Sequence, residues 1–115
     1  MKLPEQNTKS VTVAATPLSL KELEALLQQT PAWSLGEKEI VRDFRFKDFR
    51  DAMRFVNDVA AIANEQDHHP DIFISYNKVR VTLSTHKIGG LSLNDFVVAA
   101  KIDELADLQR PGKAA

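Results

Sequence analysis

The feature that most constrains the fold is a plan that occurs twice between Trp33 and Leu108: two strand patterns followed by a helix pattern. One more helix pattern precedes them. It opens at Ser19-Leu20-Lys21-Glu22, which has the form of a capping box, and ends before Pro31. The predicted order is therefore α-ββ-α-ββ-α. Because two hairpins can pair into a four-stranded antiparallel sheet with helices on one face, we expect an α+β two-layer sandwich.

Both hairpins are predicted from short apolar runs on either side of a turn. The expected strands cover residues 33–35, 39–46, 71–76 and 79–85. The second turn centres on Asn77, since asparagine tolerates positive φ. Phe73 has the opposite parity to Ile72 and Ile74, which predicts that it lies off the core. In the last strand the polar residues share one face, which we expect to meet solvent or substrate.

The second and third helices are predicted from caps and apolar periodicity. Asp48 caps a helix over about residues 49–64, whose apolar stripe is Phe49, Ala52, Met53, Val56, Val59, Ala60 and Ala63. Phe55 and Ile62 form a smaller second stripe. The third helix opens at a capping box formed by Ser92 and Asp95 and runs to about residue 108. That box favours a structural role for Asp95 over a catalytic one.

Length and composition indicate one domain of ordinary globular character. We expect a flexible arm at residues 1–17, the domain at 18–108 and a flexible tail at 109–115. The absence of cysteine excludes disulfides and thiolate zinc sites and favours a reducing compartment, here taken as the cytoplasm. With 15 basic and 16 acidic residues and no basic stripe, no direct nucleic-acid partner is expected. No apolar run predicts a membrane span or a signal peptide.

All three histidines, His68, His69 and His86, lie on or beside the second hairpin. Since an imidazole exchanges protons near neutral pH, their grouping indicates proton transfer or a metal site. Side chains alternate along an extended chain, so His68 and His69 should point in different directions, which disfavours a shared metal ion. The plainer alternative is that one of them caps the preceding helix and the other is merely exposed.

These residues resemble the pterin-4a-carbinolamine dehydratase family. The family pattern is an acidic residue, three positions, His-His-Pro, an aromatic residue six further on, a histidine ten later and an aspartate nine after that. The matching positions are His68-His69-Pro70, Tyr76, His86 and Asp95. Four short segments also resemble sequences common in the family: Phe46-Lys47-Asp48-Phe49, Tyr76-Asn77-Lys78-Val79, Leu83-Ser84-Thr85-His86 and Gly90-Leu91-Ser92. The resemblance covers about residues 20–105. It departs at the acidic position, which is Asn64, with Glu65 beside it.

The resemblance implies the same two-layer fold and an activity. The family reaction, that of a 4a-hydroxytetrahydrobiopterin dehydratase (a hydro-lyase), converts 4a-hydroxytetrahydropterin to quinonoid dihydropterin and recycles the cofactor of aromatic amino acid hydroxylases. It needs an acid at the leaving oxygen and a base at N5, and no cofactor or metal. Members are homodimers or homotetramers in which edge strands pair and helices pack. The stripe of Phe55 and Ile62 would serve that packing.

The resemblance also implies the site. His68, His69 and His86 are the expected catalytic set, with His68 and His86 transferring protons and His69 orienting the pterin. The expected substrate-binding residues are Asp67, Ser84 and Thr85, acting partly through backbone groups. Two alternatives stay open: a non-catalytic dimerisation or assembly cofactor of this fold, favoured by Asn64, and a histidine-ligated metal hydrolase.

Overall fold

The computed structural model describes residues 3–8 and 16–109, and in them the predicted α+β sandwich is confirmed. The helices are α1 (Leu20–Gln29), α2 (Phe49–Gln66) and α3 (Leu93–Gln109), and the strands are β1 (Ser34–Leu35), β2 (Ile40–Arg45), β3 (Asp71–Ser75) and β4 (Lys78–Leu83). Short 3₁₀ turns at Leu3–Glu5 and His86–Ile88 were not predicted. Ser19 and Asp48 cap α1 and α2 as expected, the first through both bonds of a capping box.

The two hairpins join through their inner strands into one antiparallel sheet with the order β1-β2-β4-β3. Ile40 of β2 pairs with Leu83 of β4, and Asp71 of β3 pairs with Thr82. The first residue of β3 therefore lies beside the end of β4. As a consequence, the segment that follows α2 and the segment that follows β4 meet at the same end of the sheet.

One face of the sheet carries the core. Its fully buried residues include Ile40, Val79, Val81 and Leu83, and the opposite face presents polar side chains together with Phe73, which is 65% exposed as its parity predicted. Helix α3 is buried almost all round from Phe96 to Ile102. A helix of that kind needs cover on several sides, and α3 contacts α2, α1 and the Leu3–Glu5 turn.

The described part of the N-terminal arm lies against the domain. Leu3 is 1% exposed and belongs to the core, and Lys101 of α3 donates to the Pro4 carbonyl at 2.8 Å. This contact supplies cover to α3 that residues 18–108 do not provide. Residues 9–15 and the tail beyond Gln109 lie outside the described residues.

The predicted orientation of α2 was wrong in one respect. Phe55, expected to pack against another subunit, is fully buried, with its ring centroid 4.6 Å from that of Phe44 and 5.0 Å from that of Phe46. Phe49, expected in the core stripe, is 50% exposed. The buried face of α2 combines Phe55 of the second stripe with Ala52, Val59 and Ala63 of the first.

The second hairpin turn also differs from the prediction. Its two loop residues are Tyr76 and Asn77, and the positive φ of 52° falls on Tyr76. The Asn77 side chain instead donates to the Phe46 carbonyl at 2.9 Å, while its own carbonyl accepts from the Phe46 amide. The asparagine is thereby held by the end of β2, and the left-handed conformation moves to its neighbour.

Candidate active site

The site begins at a sharp bend between α2 and β3. Asp67 ends α2 in the left-handed region, with φ 50° and ψ 44°, and the amide of His68 donates to the Ala63 carbonyl at 3.1 Å. This bond and the left-handed Asp67 are the features of a Schellman motif, a helix end that usually has glycine at the left-handed position. An aspartate there costs roughly 1 kcal/mol more than glycine. The bend turns the chain sharply, so that the two histidines leave the helix in an extended segment.

His68 contacts a buried carboxylate. Its Nε2 atom lies 2.6 Å from Oδ1 of Asp95, and the Asp95 side chain is fully buried. A carboxylate can only accept, so the hydrogen of this bond is on Nε2 and the other ring nitrogen, Nδ1, is left for proton exchange. Asp95 thus orients the imidazole and stabilises it when it becomes positively charged.

Asp95 is held in turn by two groups beside β4. Its Oδ2 atom accepts from the Thr85 hydroxyl at 2.8 Å and from the Ser92 amide at 3.0 Å. Because the Thr85 hydrogen is used in this way, the Ser92 hydroxyl donates to Thr85 Oγ1 at 2.7 Å. A buried carboxylate is stable only when its oxygens are hydrogen-bonded, and this one receives three donors.

His69 points to a different partner, as the alternation of side chains predicted. Its Nε2 atom lies 2.9 Å from Oδ1 of Asn64, which is in the last turn of α2. With the amide oxygen as acceptor, Nε2 carries the hydrogen and Nδ1 presents a lone pair. The Asn64 side chain, at the acidic position of the family pattern, therefore orients His69 through an uncharged acceptor. His69 itself is exposed.

His86 lies just past the end of β4, where the chain makes a tight loop. Thr85 and Gly90 pair through backbone bonds, and Gly89 closes the loop with φ 64°, a conformation that suits glycine. His86 is exposed, whereas Thr85 next to it is buried. The hydroxyl and backbone groups of Thr85 all bond within the protein, so its part in the site is to hold Asp95 and shape this loop.

The structure brings most of the predicted residues to one end of the sheet. His68 and Thr85 both form hydrogen bonds to Asp95. His86 follows Thr85 along the chain, and the half-buried Ser84 precedes Thr85. Tyr76 is 64% exposed at the hairpin tip, at the opposite end of β4 from His86, and β4 itself is about 20 Å long.

Sequence reasoning missed the contact between Asp95 and His68. The capping box correctly gave Asp95 its bond to the Ser92 amide, but no local pattern reports a partner 27 positions away. The only signal was the spacing that Asp95 shares with the family pattern.

Within residues 3–8 and 16–109, no group of three or more His, Asp or Glu side chains is arranged to hold a metal ion. Among the helices in that same part of the chain, none has both the length and the apolar character needed to cross a membrane.

The comparisons with known proteins agree on one family. The family described as "Pterin 4 alpha carbinolamine dehydratase" matches residues 16–105. A protein of Nitrosospira multiformis described as "Putative pterin-4-alpha-carbinolamine dehydratase" is 50% identical over 92 residues, which are 80% of this chain and 81% of the relative.

Two solved structures are also similar. A transcriptional coactivator/pterin dehydratase from Brucella melitensis has a TM-score of 0.75 and 35% identity, and the match covers 79% of this chain and 99% of that one. A pterin dehydratase-like protein identified as a RuBisCO assembly factor in the alpha-carboxysome has a TM-score of 0.57 and 26% identity, with coverage of 65% and 89%. The similar structures thus include proteins described as a transcriptional coactivator or an assembly factor, as well as proteins described as pterin dehydratases.

Proposed function

Since the chain belongs to the pterin 4 alpha carbinolamine dehydratase family, we propose that it dehydrates a 4a-hydroxytetrahydropterin to the quinonoid dihydropterin. The C4a–oxygen bond breaks, the oxygen takes one proton and leaves as water, and N5 loses one proton. No electrons are exchanged with a second reactant. The observation that carries the proposal is the bond between His68 and the buried Asp95, beside two further histidines.

His68 is assigned as the base at N5. A base must accept a proton in the transition state, and the buried Asp95 carboxylate favours the positively charged imidazole that results. With Nε2 bound to Asp95, the proton arrives at Nδ1. The side chain is 12% exposed, which keeps it in reach of a ligand while it is mostly shielded from water.

His86 is assigned as the acid at the leaving oxygen. It is exposed and follows Thr85, so it sits on the segment that also holds Asp95 in place. An exposed imidazole is recharged by solvent between turnovers, as a general acid requires. Positioned acid and base groups each supply about 10²- to 10⁴-fold, which is sufficient for a carbinolamine that also dehydrates unaided.

His69 is assigned to binding and orientation of the pterin. Asn64 fixes its Nε2–H, and the lone pair on Nδ1 can accept from an N–H of the pterin ring. Asp67 and Ser84 complete the proposed pocket by family resemblance. Thr85 contributes through its bond to Asp95, since its own polar groups are engaged within the protein.

The biological setting proposed for this activity is recycling of tetrahydropterin for an aromatic amino acid hydroxylase by a homodimer or homotetramer in the cytoplasm. Two exposed surfaces support self-association: the edge strand β3 with Phe73, and the face of α2 with Phe49. Light scattering of the purified protein tests this part, and a monomer at micromolar concentration would contradict it.

A non-catalytic assembly role is the second candidate. It is favoured by the uncharged Asn64 at the position of the family's acidic residue and by the similarity to a RuBisCO assembly factor. The two candidates differ in one respect that is easy to measure, because an assembly factor has no need of turnover.

The test is a stopped-flow dehydration assay on single alanine variants of the three histidines. We expect His68→Ala and His86→Ala to lower kcat by about 10²-fold or more while KM changes little, and His69→Ala mainly to raise KM. Glu24→Ala, at an exposed position of α1, is the control and should keep the wild-type rate. Turnover equal to wild type in all three histidine variants would refute the site.

A further inference from the structure

The N-terminal segment Leu3–Thr8 lies outside residues 16–105, the part of the chain that matches the family. It nevertheless packs on the helices. Leu3 is buried, its amide lies 3.3 Å from the side-chain oxygen of Gln29 at the end of α1, and Lys101 of α3 donates to Pro4. The segment is therefore anchored at its beginning by two different helices.

Its other end is bound to the last residue of α2. The Thr8 amide donates to Gln66 Oε1 at 2.8 Å, the Thr8 hydroxyl donates to the Gln66 backbone carbonyl, and Gln66 Nε2 donates to Asn7 Oδ1 at 3.1 Å. Gln66 is 5% exposed, although glutamine is mostly a surface residue. A buried glutamine whose oxygen, amide nitrogen and backbone carbonyl all meet one distant segment indicates a specific attachment.

Gln66 immediately precedes the bend that carries the histidines. The last carbonyls of a helix have no partner within the helix and need one from elsewhere. Here the next residue, Asp67, is in a left-handed conformation that a non-glycine residue adopts at a cost. The Thr8 hydroxyl supplies the missing partner to the Gln66 carbonyl, at the point where the strained bend begins.

We propose that Leu3–Thr8 is a positioning clamp, in which Thr8 and the buried Gln66 fix the end of α2 so that His68 meets Asp95. Thr8 and Gln66 are positioning residues, since neither touches the reacting atoms. The catalytic consequence rests on the proposed function, but the effect on the bend does not.

The test compares Thr8→Val with Thr8→Ser in the full chain. Valine has nearly the shape of threonine and removes the hydroxyl donor to the Gln66 carbonyl, whereas serine keeps that donor. We expect Thr8→Val to lower kcat by about 3- to 10-fold with KM within about twofold, the loss of one positioning hydrogen bond. Thr8→Ser should stay within about twofold of wild type.

Amide hydrogen exchange gives a second measurement that does not need turnover. In Thr8→Val the amides of Asp67 and His68, which close the bend, should exchange at least about threefold faster. The amides of β4 should be unchanged, so global destabilisation is separated from a local effect. Unchanged exchange at the bend, an equal increase at β4, or the same loss in Thr8→Ser would each overturn the clamp.

The two proposals fail in different ways. If the wild-type protein does not accelerate dehydration, the proposed function is wrong, and the exchange measurement still decides whether Thr8 holds the bend. If the wild type is active and Thr8→Val keeps its kcat, the clamp is wrong and the dehydratase stands.

Discussion

Replacing Asp95 with asparagine gives the sharpest prediction of the account. The exchange keeps the size of the side chain and removes one charge and one acceptor. In the structure Oδ2 accepts from the Thr85 hydroxyl and the Ser92 amide, while Oδ1 accepts from His68 Nε2. The consequence depends on which of these two positions the new NH₂ group takes.

The backbone decides the orientation of the new amide. The Ser92 amide can only donate, so an NH₂ group placed at the Oδ2 position would leave two donors facing each other in a buried site. The amide oxygen of Asp95→Asn therefore takes that position. The NH₂ group then faces His68 and donates to Nε2, which forces the hydrogen of the imidazole onto Nδ1, the nitrogen that must accept the proton from N5.

The size of the effect is bounded from both sides. A corresponding exchange in the serine-protease triad, which also imposes the wrong tautomer, costs about 10⁴-fold. Here the loss cannot exceed what one acid–base group contributes, about 10²- to 10⁴-fold. We expect kcat to fall by about 10²-fold or more with KM changed by less than about threefold. The free energy of unfolding should fall by about 1–3 kcal/mol, because the bond to His68 is weakened.

Stopped-flow absorbance measures kcat and KM, and urea unfolding confirms that the variant is folded at the assay temperature. Ser92→Ala is the matched control, since it removes one hydroxyl from the same network without touching His68, and it should stay within about fivefold of wild type. A folded Asp95→Asn protein with wild-type kcat would refute the role of Asp95, and with it the assignment of His68 as the base.

Three other changes test separate parts of the structure. Asn64→Ala removes the acceptor for His69 and should raise KM several-fold at nearly constant kcat in the same assay; an unchanged KM would contradict the orienting role. Phe55→Ala should lower the free energy of unfolding, measured by urea denaturation, by about 3–5 kcal/mol, whereas a loss below about 1 kcal/mol would contradict its core position. Burial raises the pKa of Asp103 despite hydrogen bonds from Trp33 and Arg42, so its contribution to stability is present at low pH and lost as pH rises through the folded-state value. Asp103→Asn should therefore gain stability relative to wild type as the pH rises above the usual range of an aspartate; the opposite trend would contradict this.

The order of elements was predictable from the sequence because it depends on local patterns. Caps such as Ser19 with Glu22, and the alternation of β4, are set by neighbours within a few positions and are confirmed. The joining of two hairpins into one sheet was also expected, because each hairpin has an apolar face to bury, whereas the strand order β1-β2-β4-β3 was not predicted. The pairing of β3 with β4 within the second hairpin brings the segments of His68 and His86 to one end of the sheet.

Features that depend on packing between distant elements were not predictable. Helix α2 has two adjacent apolar stripes, and its packing in the core buries Phe55 of one together with Ala52 and Val59 of the other. The contact between His68 and Asp95 requires α2 and α3 to be packed first. The position of Tyr76 depends on a bond from Asn77 to the end of β2, which no pattern within the turn reports.

The most direct test of the central claim is the rate at which the wild-type protein dehydrates 4a-hydroxytetrahydropterin. A hydroxylase generates this substrate in the stopped-flow instrument, and absorbance follows the quinonoid dihydropterin with and without the protein. The account predicts an increase over the spontaneous rate that scales with protein concentration and is absent with the folded double variant His68→Ala/His86→Ala. A spontaneous rate that the folded wild-type protein leaves unchanged would contradict the account and favour an assembly role for this fold.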